Sequence, residues 1–528
     1  MKYIKWETFN LNILDKPSTS RSIVLLYKAL VVILFAYVLL TTFDLSMQNA
    51  ADHDDNPYIA AANLTEKDGL LPYRDYRFIH MPYYVFVYAL IFKFTSSITL
   101  VIRIINFLSF NTLLILVYST IQKSLPGRNQ IFKFLIGASA LLFIICNPIV
   151  KYSYARFTFD IPLLLTILAF LLLTYIQKSE KSFQKALLSG LFLGIAIGFR
   201  LHFVLFAIPF ALSVLLFLNL SVSYRLKLVF WFSAGIFAGL IPVIVLFAVA
   251  PKEFIFDVFH FHFTIDKQFL KHQNRVFTFT KRLSDLYLLI SQTWQTLILL
   301  PGVIMLAGIK IFRFAKDEVL NFRLATILIT LPFLIYLAVG KILIYQYLYP
   351  LVLFTVLGIF YGLTAFRKYA NLGTLLICSL ALIMLWKGDW LQLAELKKPE
   401  NWTALSRYEC SRLIDEALTG QTKILTLSPA EILESDSIQI YKEFVSSPFL
   451  WRTSYLIPDN LRKQLNIISE KEIHSFLQEN QPDAIFTGYE PEELERSFIE
   501  FARKNGYTEL DIPNQRDLVL YINNNKPQ

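Results

Sequence analysis

An acidic cluster follows the first long apolar segment of this 528-residue chain and is its most informative feature. It consists of Asp52, His53, Asp54 and Asp55. Ionisable groups beside membrane-spanning segments are energetically costly and commonly mark ion, substrate or proton sites. A carboxylate within hydrogen-bond reach of a hydroxyl group can take its proton, and carboxylates also bind divalent cations. We therefore predict that Asp54 or Asp55 acts as a general base, with helix capping as the structural alternative for Asp54.

Three basic residues are candidates to bind an anion on the same side of the protein. Arg200 interrupts a hydrophobic stretch, where an arginine costs roughly 2.5–3.5 kcal/mol to insert, so it needs a partner. That partner is either a bound phosphate or Asp160. His80 either contacts phosphate or only caps the helix that follows it. Lys341 is the third candidate, and its alternative role is to extend toward the membrane interface.

A second acidic site is predicted at Asp160, at the start of an apolar segment. A lone carboxylate at that position has to be paired or bound to a metal ion, and the sequence favours neither reading over the other. Asp54 and Asp160 together would suit a divalent metal ion, although carboxylates alone also fit a metal-free reaction. The sequence has no glycine-rich nucleotide loop and no cysteine-rich metal motif, which disfavours an ATP-driven pump. No cofactor is required, and a divalent metal ion is the one alternative.

The composition is that of a polytopic α-helical membrane protein. Hydrophobic residues make up 55% of the chain, and the mean hydropathy is +0.49. A helix needs about 20 apolar residues to cross the hydrocarbon core, and about 11 segments approach that length. These segments lie at 22–45, 98–121, 131–150, 159–176, 186–199, 201–219, 227–250, 286–309, 322–339, 342–365 and 370–388. A shorter apolar run at 82–95 is expected to form an interfacial helix within the first extracytoplasmic loop, 46–97.

The distribution of lysine and arginine gives the expected orientation. The N-terminal segment and the loops that would share its side are rich in these residues, so we expect them to face the cytoplasm. The acidic loop, the loop at 251–285 and the chain beyond about residue 389 then face outward. The net charge of +10 is attributed to anchoring at the cytoplasmic interface. No basic stripe with interleaved aromatic residues indicates nucleic-acid binding.

A change in composition near Leu391 predicts two domains, a transmembrane domain at 1–390 and a soluble extracytoplasmic α/β domain at 391–528. Charged residues become frequent after this point, and β-type runs alternate with helical stretches, as in small α/β domains. The β-type runs are KILTLS at 423–428, DAIFTG at 483–488 and LVLYIN at 518–523.

The acidic loop resembles that of the GT-C glycosyltransferases, integral membrane enzymes that take sugars from polyprenyl-phosphate carriers. The sequence DDNPY at 54–58 matches a pattern of the aminoarabinose-transferase, protein O-mannosyltransferase and rhizobial galacturonosyltransferase types. That match places the family's catalytic aspartate at Asp54. The loop continues with GLLPYRD at 69–75 and HMP at 80–82, both similar to family motifs.

The resemblance covers nearly the whole chain. RFTFDIPLLLTILAF resembles the second acidic site of the family, at Asp160, and SGLFLGIAIGFRLHFVLFAIP resembles a span that ends in an outward arginine, Arg200. It implies a GT-C fold and an inverting transfer of a sugar from a polyprenyl-phosphate donor to a glycolipid, glycan or protein. Asp54 would accept the proton of the acceptor. Arg200, with His80, Lys341 or a divalent ion, would stabilise the departing phosphate on the outer face of a bacterial inner membrane.

Two other functions are compatible with the sequence. A transporter or flippase for lipid-linked substrates would carry charges within its spans and broken helices near mid-membrane. Here the ionisable residues are concentrated at the ends of the spans, and the large loops lie on one side. A non-catalytic scaffold of the same fold is the third hypothesis, and in a scaffold changes at Asp54, Asp160 and Arg200 would be silent.

Overall fold

The computed structural model describes most of the chain, with several gaps. The described residues are 21–49, 55–125, 130–156, 159–176, 180–218, 220–273, 345–365, 398–418, 422–512 and 517–524, with isolated residues between 278 and 335. Two of the predicted site residues, Asp54 and Lys341, lie outside the described residues. So do the predicted span at 370–388 and most of those at 286–309 and 322–339.

The first part of the chain is mostly helical, as its apolar composition predicts, and residues 69–82 of the first loop are irregular. Its helices are α1 (Arg21–Gln48), α2 (Asp55–Lys67), α3 (Tyr83–Phe92), α4 (Ile98–Ser124), α5 (Gln130–Ile145), α6 (Pro148–Ser153), α7 (Asp160–Thr174), α8 (Ser182–Phe199), α9 (Ala207–Phe217), α10 (Val222–Gly239), α11 (Ile241–Val249), α12 (Pro251–Ile255), α13 (Asp266–His272) and α14 (Tyr345–Ala365). A 3₁₀ helix at Leu201–Phe206 joins α8 to α9, and a π-helix at Phe256–Ile265 joins α12 to α13.

Among the described residues, three helices are long and apolar enough to cross a membrane. They are Leu25–Gln48, Ile98–Ser124 and Ser182–Phe199. The pair α10–α11 qualifies as a fourth span if it is counted as one helix, and it is bent by 57°. Pro242, in the first turn of α11, explains the bend because proline removes a backbone donor and clashes with the preceding turn. Five shorter apolar helices accompany these spans, and α3, predicted as an interfacial helix, is one of them.

Glycines on α8 and α10 bring the backbones of these two helices into contact. Gly190 and Gly194 on α8 face Gly235 and Gly239 on α10, each pair at the four-residue spacing that lets membrane helices pack closely. A β-carbon added at any of the four would come within 3.0 Å of a backbone atom of the other helix. Since α8 ends at Phe199, this contact fixes the position of the residue that follows, Arg200.

We expect Gly190→Val to disrupt the fold. The added side chain would meet the carbonyl oxygen of Phe232, and overpacking of this kind costs about 1–3 kcal/mol or more. The measurement is the thermal unfolding midpoint of the detergent-solubilised protein. The control is Leu188→Ala on the same helix, where the leucine is 43% exposed. Equal midpoints for wild type and Gly190→Val would contradict the backbone contact.

The C-terminal part is an α/β unit with a five-stranded sheet in the order β2–β1–β3–β5–β4. Its elements are α15 (Thr403–Ala417), β1 (Thr422–Leu425), β2 (Ile438–Ile440), α16 (Phe449–Thr453), α17 (Asp459–Leu465), α18 (Ile473–Asn480), β3 (Ala484–Thr487), α19 (Glu492–Lys504), β4 (Thr508–Asp511) and β5 (Val519–Ile522). Strand β1 pairs in parallel with β2 and β3, whereas β5 is antiparallel to β3 and β4. The three predicted β-type runs correspond to β1, β3 and β5, and the α/β character is confirmed.

The C-terminal unit is docked on the loop that follows α1. Lys67 at the end of α2 donates to the carbonyl oxygens of Asp436 and Ile438, at 2.9 and 3.1 Å. The amide of Ala430 donates to the side-chain oxygen of Asn56 at 3.0 Å. A carboxylate oxygen of Glu434 accepts the amide of Thr99 at 2.8 Å, in the first turn of α4. Because a negative group stabilises the N-terminal end of a helix, this contact ties α4 to the C-terminal unit.

We expect Glu434→Gln to make the stability of the protein less dependent on pH. Burial raises the pKa of the Glu434 carboxyl to about 7 from 4.5. The folded state therefore keeps a proton that the unfolded state releases above about pH 4.5, and this contribution to stability is lost as the pH rises through about 7. Between about pH 4.5 and about pH 7, the free energy of unfolding of wild type should fall by about 1–3 kcal/mol more than that of the variant.

The measurement for Glu434→Gln is the thermal unfolding midpoint in detergent at about pH 5 and about pH 8. Glu479→Gln is the control, since Glu479 is an exposed glutamate of the same unit. A pH dependence equal to that of wild type in Glu434→Gln would contradict the assignment.

Candidate active site

The described part of the acidic cluster begins at Asp55, the first residue of α2. Asp55 is 15% exposed and lies 3.9 Å from the guanidinium of Arg407, measured between Oδ2 and Nη1. The next residues of α2, Asn56 to Leu64, are all buried, so the helix is held from every side. The structure therefore places one predicted base, Asp55, at the junction between the first loop and the C-terminal unit. Asp54, the other, precedes it outside the described residues.

Arg200 lies between aromatic rings at the break that ends α8. Its backbone is extended there, with φ −147° and ψ 119°, and the residue is 5% exposed. The guanidinium carbon lies 5.6 Å from the ring centroid of Tyr58 and 4.9 Å from that of Phe159. Cation–π contacts of this kind stabilise a buried guanidinium without using up its N–H donors. Tyr58 belongs to α2, so the aromatic contact brings Arg200 to the acidic end of the first loop.

His80 stacks on the same tyrosine. Its ring lies 4.9 Å from that of Tyr58, with an interplanar angle of 14°, and 5.7 Å from the ring of His262. Burial lowers the pKa of His80 well below its usual value, and the nearby Arg200 lowers it further. His80 is thus a neutral ring, whose Nε2 has no hydrogen-bond partner among the described residues. A neutral imidazole can donate one hydrogen bond to an oxyanion but adds no positive charge.

Asp160 is held by neutral groups. One carboxylate oxygen accepts from the hydroxyl of Tyr349 at 2.8 Å, and the other accepts from the amide of Ala155 at 2.9 Å. The residue is 1% exposed. The sequence offered an ion pair or a metal ion for Asp160, whereas the hydrogen bonds of its carboxylate among the described residues come from neutral groups. Within the described part of the chain there is no group of three His, Cys, Asp or Glu side chains that could hold a metal ion.

Arg103 is a buried cation that the sequence analysis did not single out. It lies on α4, is 1% exposed, and donates through Nη1 to the carbonyl oxygen of Ala155, the residue whose amide binds Asp160. Its charge also interacts with that of Asp55. Arg103 therefore lies between the two acidic positions, Asp55 and Asp160. In the sequence, Arg103 is recognisable only as a single arginine near the start of the apolar run at 98–121.

An apolar groove opens beside Arg200. Phe159, which contacts the guanidinium, also lines this groove. The other lining residues are His202, Phe203, Leu205, Phe206, Pro332, Tyr347, Leu348, Pro350 and Leu351. His202, also not predicted from the sequence, stacks on Tyr347 with ring centroids 4.4 Å apart. A cation next to an apolar groove suits an anion that carries a hydrocarbon chain.

A cluster of apolar side chains lies beside His80 and contacts its ring through Phe449. It combines Ile79 with residues of the π-helix and of the C-terminal unit, among them Phe256, Ile265 and Leu450. The π-helix is fixed to the first loop by His262, whose Nε2 donates to the carbonyl oxygen of Ile79 at 2.6 Å. His260 and His262 therefore both lie in this π-helix.

A buried ion pair also fixes the π-helix to the first loop. Asp257 of the π-helix accepts the amide of Phe78 at 3.1 Å and lies 3.7 Å from the guanidinium of Arg77. Burial raises the pKa of Asp257 to about 7, and the positive charge of Arg77 opposes that rise. Polar contacts of both Asp257 and His262 thus fix the π-helix to the segment that carries His80.

Comparison with known proteins gives a match in structure only. No family model matches the sequence, and no curated protein matches it significantly. Two solved structures of ArnT from Cupriavidus metallidurans match over nearly the whole length of both chains. The complex with undecaprenyl phosphate aligns at a TM-score of 0.56 and 11% identity, covering 93% of this chain and 97% of that one. The apo structure aligns at 0.57 and 11% identity, covering 96% and 98%. The protein thus has the fold of ArnT, and three of its described helices are long and apolar enough to span a membrane.

Proposed function

We propose that the protein is a glycosyltransferase that moves a sugar from a polyprenyl-phosphate donor to an envelope glycolipid, a glycan or a protein. The observation that carries this proposal is the full-length structural match to ArnT, which was crystallised with undecaprenyl phosphate. The site chemistry supports it independently, since a carboxylate, a buried guanidinium and an apolar groove occur together. The reaction would take place on the outer face of a bacterial inner membrane.

The acidic cluster would supply the base. The acceptor oxygen forms a bond to the anomeric carbon from the face opposite the phosphate, while the bond from that carbon to the phosphate oxygen breaks. The electron pair leaves with the phosphate, and the acceptor proton passes to Asp54, with Asp55 as the alternative base. The position of Asp55 at the N-terminal end of α2 supports this role, because the helix dipole stabilises a carboxylate there.

Arg200 and His80 would bind the phosphate of the donor. Arg200 offers a positive charge with a planar set of donors, which fits phosphate oxygens. His80 offers one neutral N–H at the same tyrosine ring. Lys341 is a further candidate from outside the described residues. A divalent ion near Asp54 and Asp160 would add charge stabilisation, although the hydrogen bonds already made by Asp160 favour the metal-free version.

The lipid tail of the donor would occupy the apolar groove beside Arg200. The groove shares Phe159 with the guanidinium contact, so a phosphate bound by the arginine would have its tail directed between the 3₁₀ helix at Leu201–Phe206 and α14. The tail is in an apolar environment in the bilayer as well as in the groove, so little hydrophobic free energy is gained when it enters the groove. The charged head would therefore supply most of the affinity and the orientation.

We expect Asp54→Asn to abolish transfer without affecting folding, because asparagine keeps the size of the side chain but cannot accept the proton. The purified protein in nanodiscs is offered a panel of undecaprenyl-phosphate sugars with crude envelope lipid or protein as acceptor. Release of free undecaprenyl phosphate is measured with and without chelator. Asp68→Asn is the control, since Asp68 is exposed directly after the end of α2. Full activity of Asp54→Asn would refute its assignment as the base.

We expect Arg200→Gln to raise the KM for the donor about 10–100-fold, since a hydrogen bond to a charged group contributes about 1.5–3 kcal/mol. Arg200→Lys should recover part of the loss through its charge. The control is Arg74→Gln, because Arg74 belongs to the first loop but is 48% exposed and bound to Asp75. An unchanged KM in Arg200→Gln would remove Arg200 from the phosphate site.

A further inference from the structure

The contact between Asp55 and Arg407 crosses from the first loop to the C-terminal unit. Arg407 lies on α15 and is 1% exposed. Its Nε donates to Oε1 of Glu431 at 2.8 Å, and its Nη2 lies at the same distance from that oxygen. Its Nη1 faces the other way and lies 3.9 Å from Oδ2 of Asp55. One planar guanidinium therefore bridges two carboxylates that are 376 residues apart in sequence (431 − 55).

Arg103 approaches Asp55 from the membrane helices. The charges of Arg103 and Arg407 both interact with that of Asp55, and the two arginines also interact with each other. Tyr88 of α3 also interacts with Asp55, and Glu431 and Glu434 both interact with Arg407. The two arginines thus have carboxyl groups from both parts of the chain as partners. Buried charges are tolerated only when they are compensated in this way.

The surrounding contacts show that Arg407 is held in place. Ser411, one turn further along α15, donates to the carbonyl oxygen of Glu431 at 3.2 Å, and Asn56, next to Asp55, accepts from the amide of Ala430 at 3.0 Å. The segment around Glu431 is thus fixed both to α15 and to the start of α2. Because Arg407 needs only Glu431 for its own charge compensation, the approach of Nη1 to Asp55 calls for a separate explanation.

We propose that Arg407 is a positioning residue, which holds Asp55 and the start of α2 in the arrangement needed for transfer, so that the C-terminal unit completes the active site. This inference rests on the proposed glycosyltransferase function. In this proposal, Arg407 contacts neither the donor nor the acceptor. It acts through the acidic cluster by keeping Asp55 ionised and by fixing the direction in which α2 begins. A lysine could supply the charge but not the two opposite contacts, since its ammonium is a single point.

The test compares Arg407→Gln and Arg407→Lys with Arg412→Gln. Arg412 lies on the same helix, is 41% exposed and pairs with Glu409 and Glu416, so it matches Arg407 in type but not in position. The assay uses whichever undecaprenyl-phosphate sugar gives the highest release with wild type. For Arg407→Gln we expect kcat to fall at least about tenfold while the KM for the donor stays within about twofold.

The pH profile distinguishes positioning from a merely structural ion pair. Loss of a positive charge near a carboxylate makes it easier to protonate, so the acidic limb of the rate profile should move up by about one pH unit in Arg407→Gln. Arg407→Lys should return the limb toward its wild-type position and recover part of kcat. An unchanged limb together with an unchanged kcat would overturn the proposal, as would equal effects of Arg412→Gln.

A second measurement does not depend on catalysis. Thermal unfolding midpoints are determined for Arg407→Gln, Asp55→Asn and the double variant. If the two side chains interact, the double variant loses less than the sum of the single losses. Additive losses would overturn the Arg407–Asp55 contact whatever the activity. Non-additive losses in a protein that releases no undecaprenyl phosphate would uphold the contact while refuting both the proposed function and the positioning role.

Discussion

The pairing of buried charge at the junction of the first loop, α4 and the C-terminal unit is the constraint on which the rest of the structure depends. Arg103 and Arg407 are each 1% exposed. Neither would be tolerated there without a carboxylate, and Asp55 and Glu431 supply the compensation from two different parts of the chain. The start of α2, the N-terminal end of α4 and the C-terminal unit are therefore stable in these positions only together. The composition of the C-terminal unit is that of a separate domain. Its residues Arg407 and Glu431 nevertheless belong to the same cluster of buried charges as Asp55.

The other charged residues of the site meet the same constraint with neutral partners. Arg200 has aromatic faces from Tyr58 and Phe159, and Asp160 has a phenol and a backbone amide. Both carboxylate oxygens of Asp160 are hydrogen-bonded, whereas Arg200 packs against two aromatic rings. In the proposed function, Arg200 binds the donor phosphate and Asp160 holds the fold. The sequence alone left a binding role and a structural role open for both residues.

The elements whose formation depends on neighbouring residues were predicted from local sequence patterns. Apolar length indicated the helices of the first part, the break before Arg200 was visible as a charge in an apolar run, and β1, β3 and β5 followed from runs of β-type residues. Strand β2 has only three residues and β4 is a polar edge strand with every residue exposed, so neither carries a periodic signal. Arg407 was not predicted because its partner is on another element far away in sequence, and the face of α15 that it occupies resembles any amphipathic helix. The histidines His202 and His262 were not assigned to the site for the same reason, since their partners are contributed by the fold.

The glycine contact between α8 and α10 has a consequence for ligand binding at the end of α8. Helices whose backbones touch along two turns have little freedom to slide or rotate, because no side chains separate them that could rearrange. Arg200 follows directly from the end of that rigid pair, so its guanidinium is preorganised before any ligand arrives. In the proposed function, the entropy cost of ordering this arginine would already have been met during folding, and the affinity for the donor phosphate would be higher by that amount.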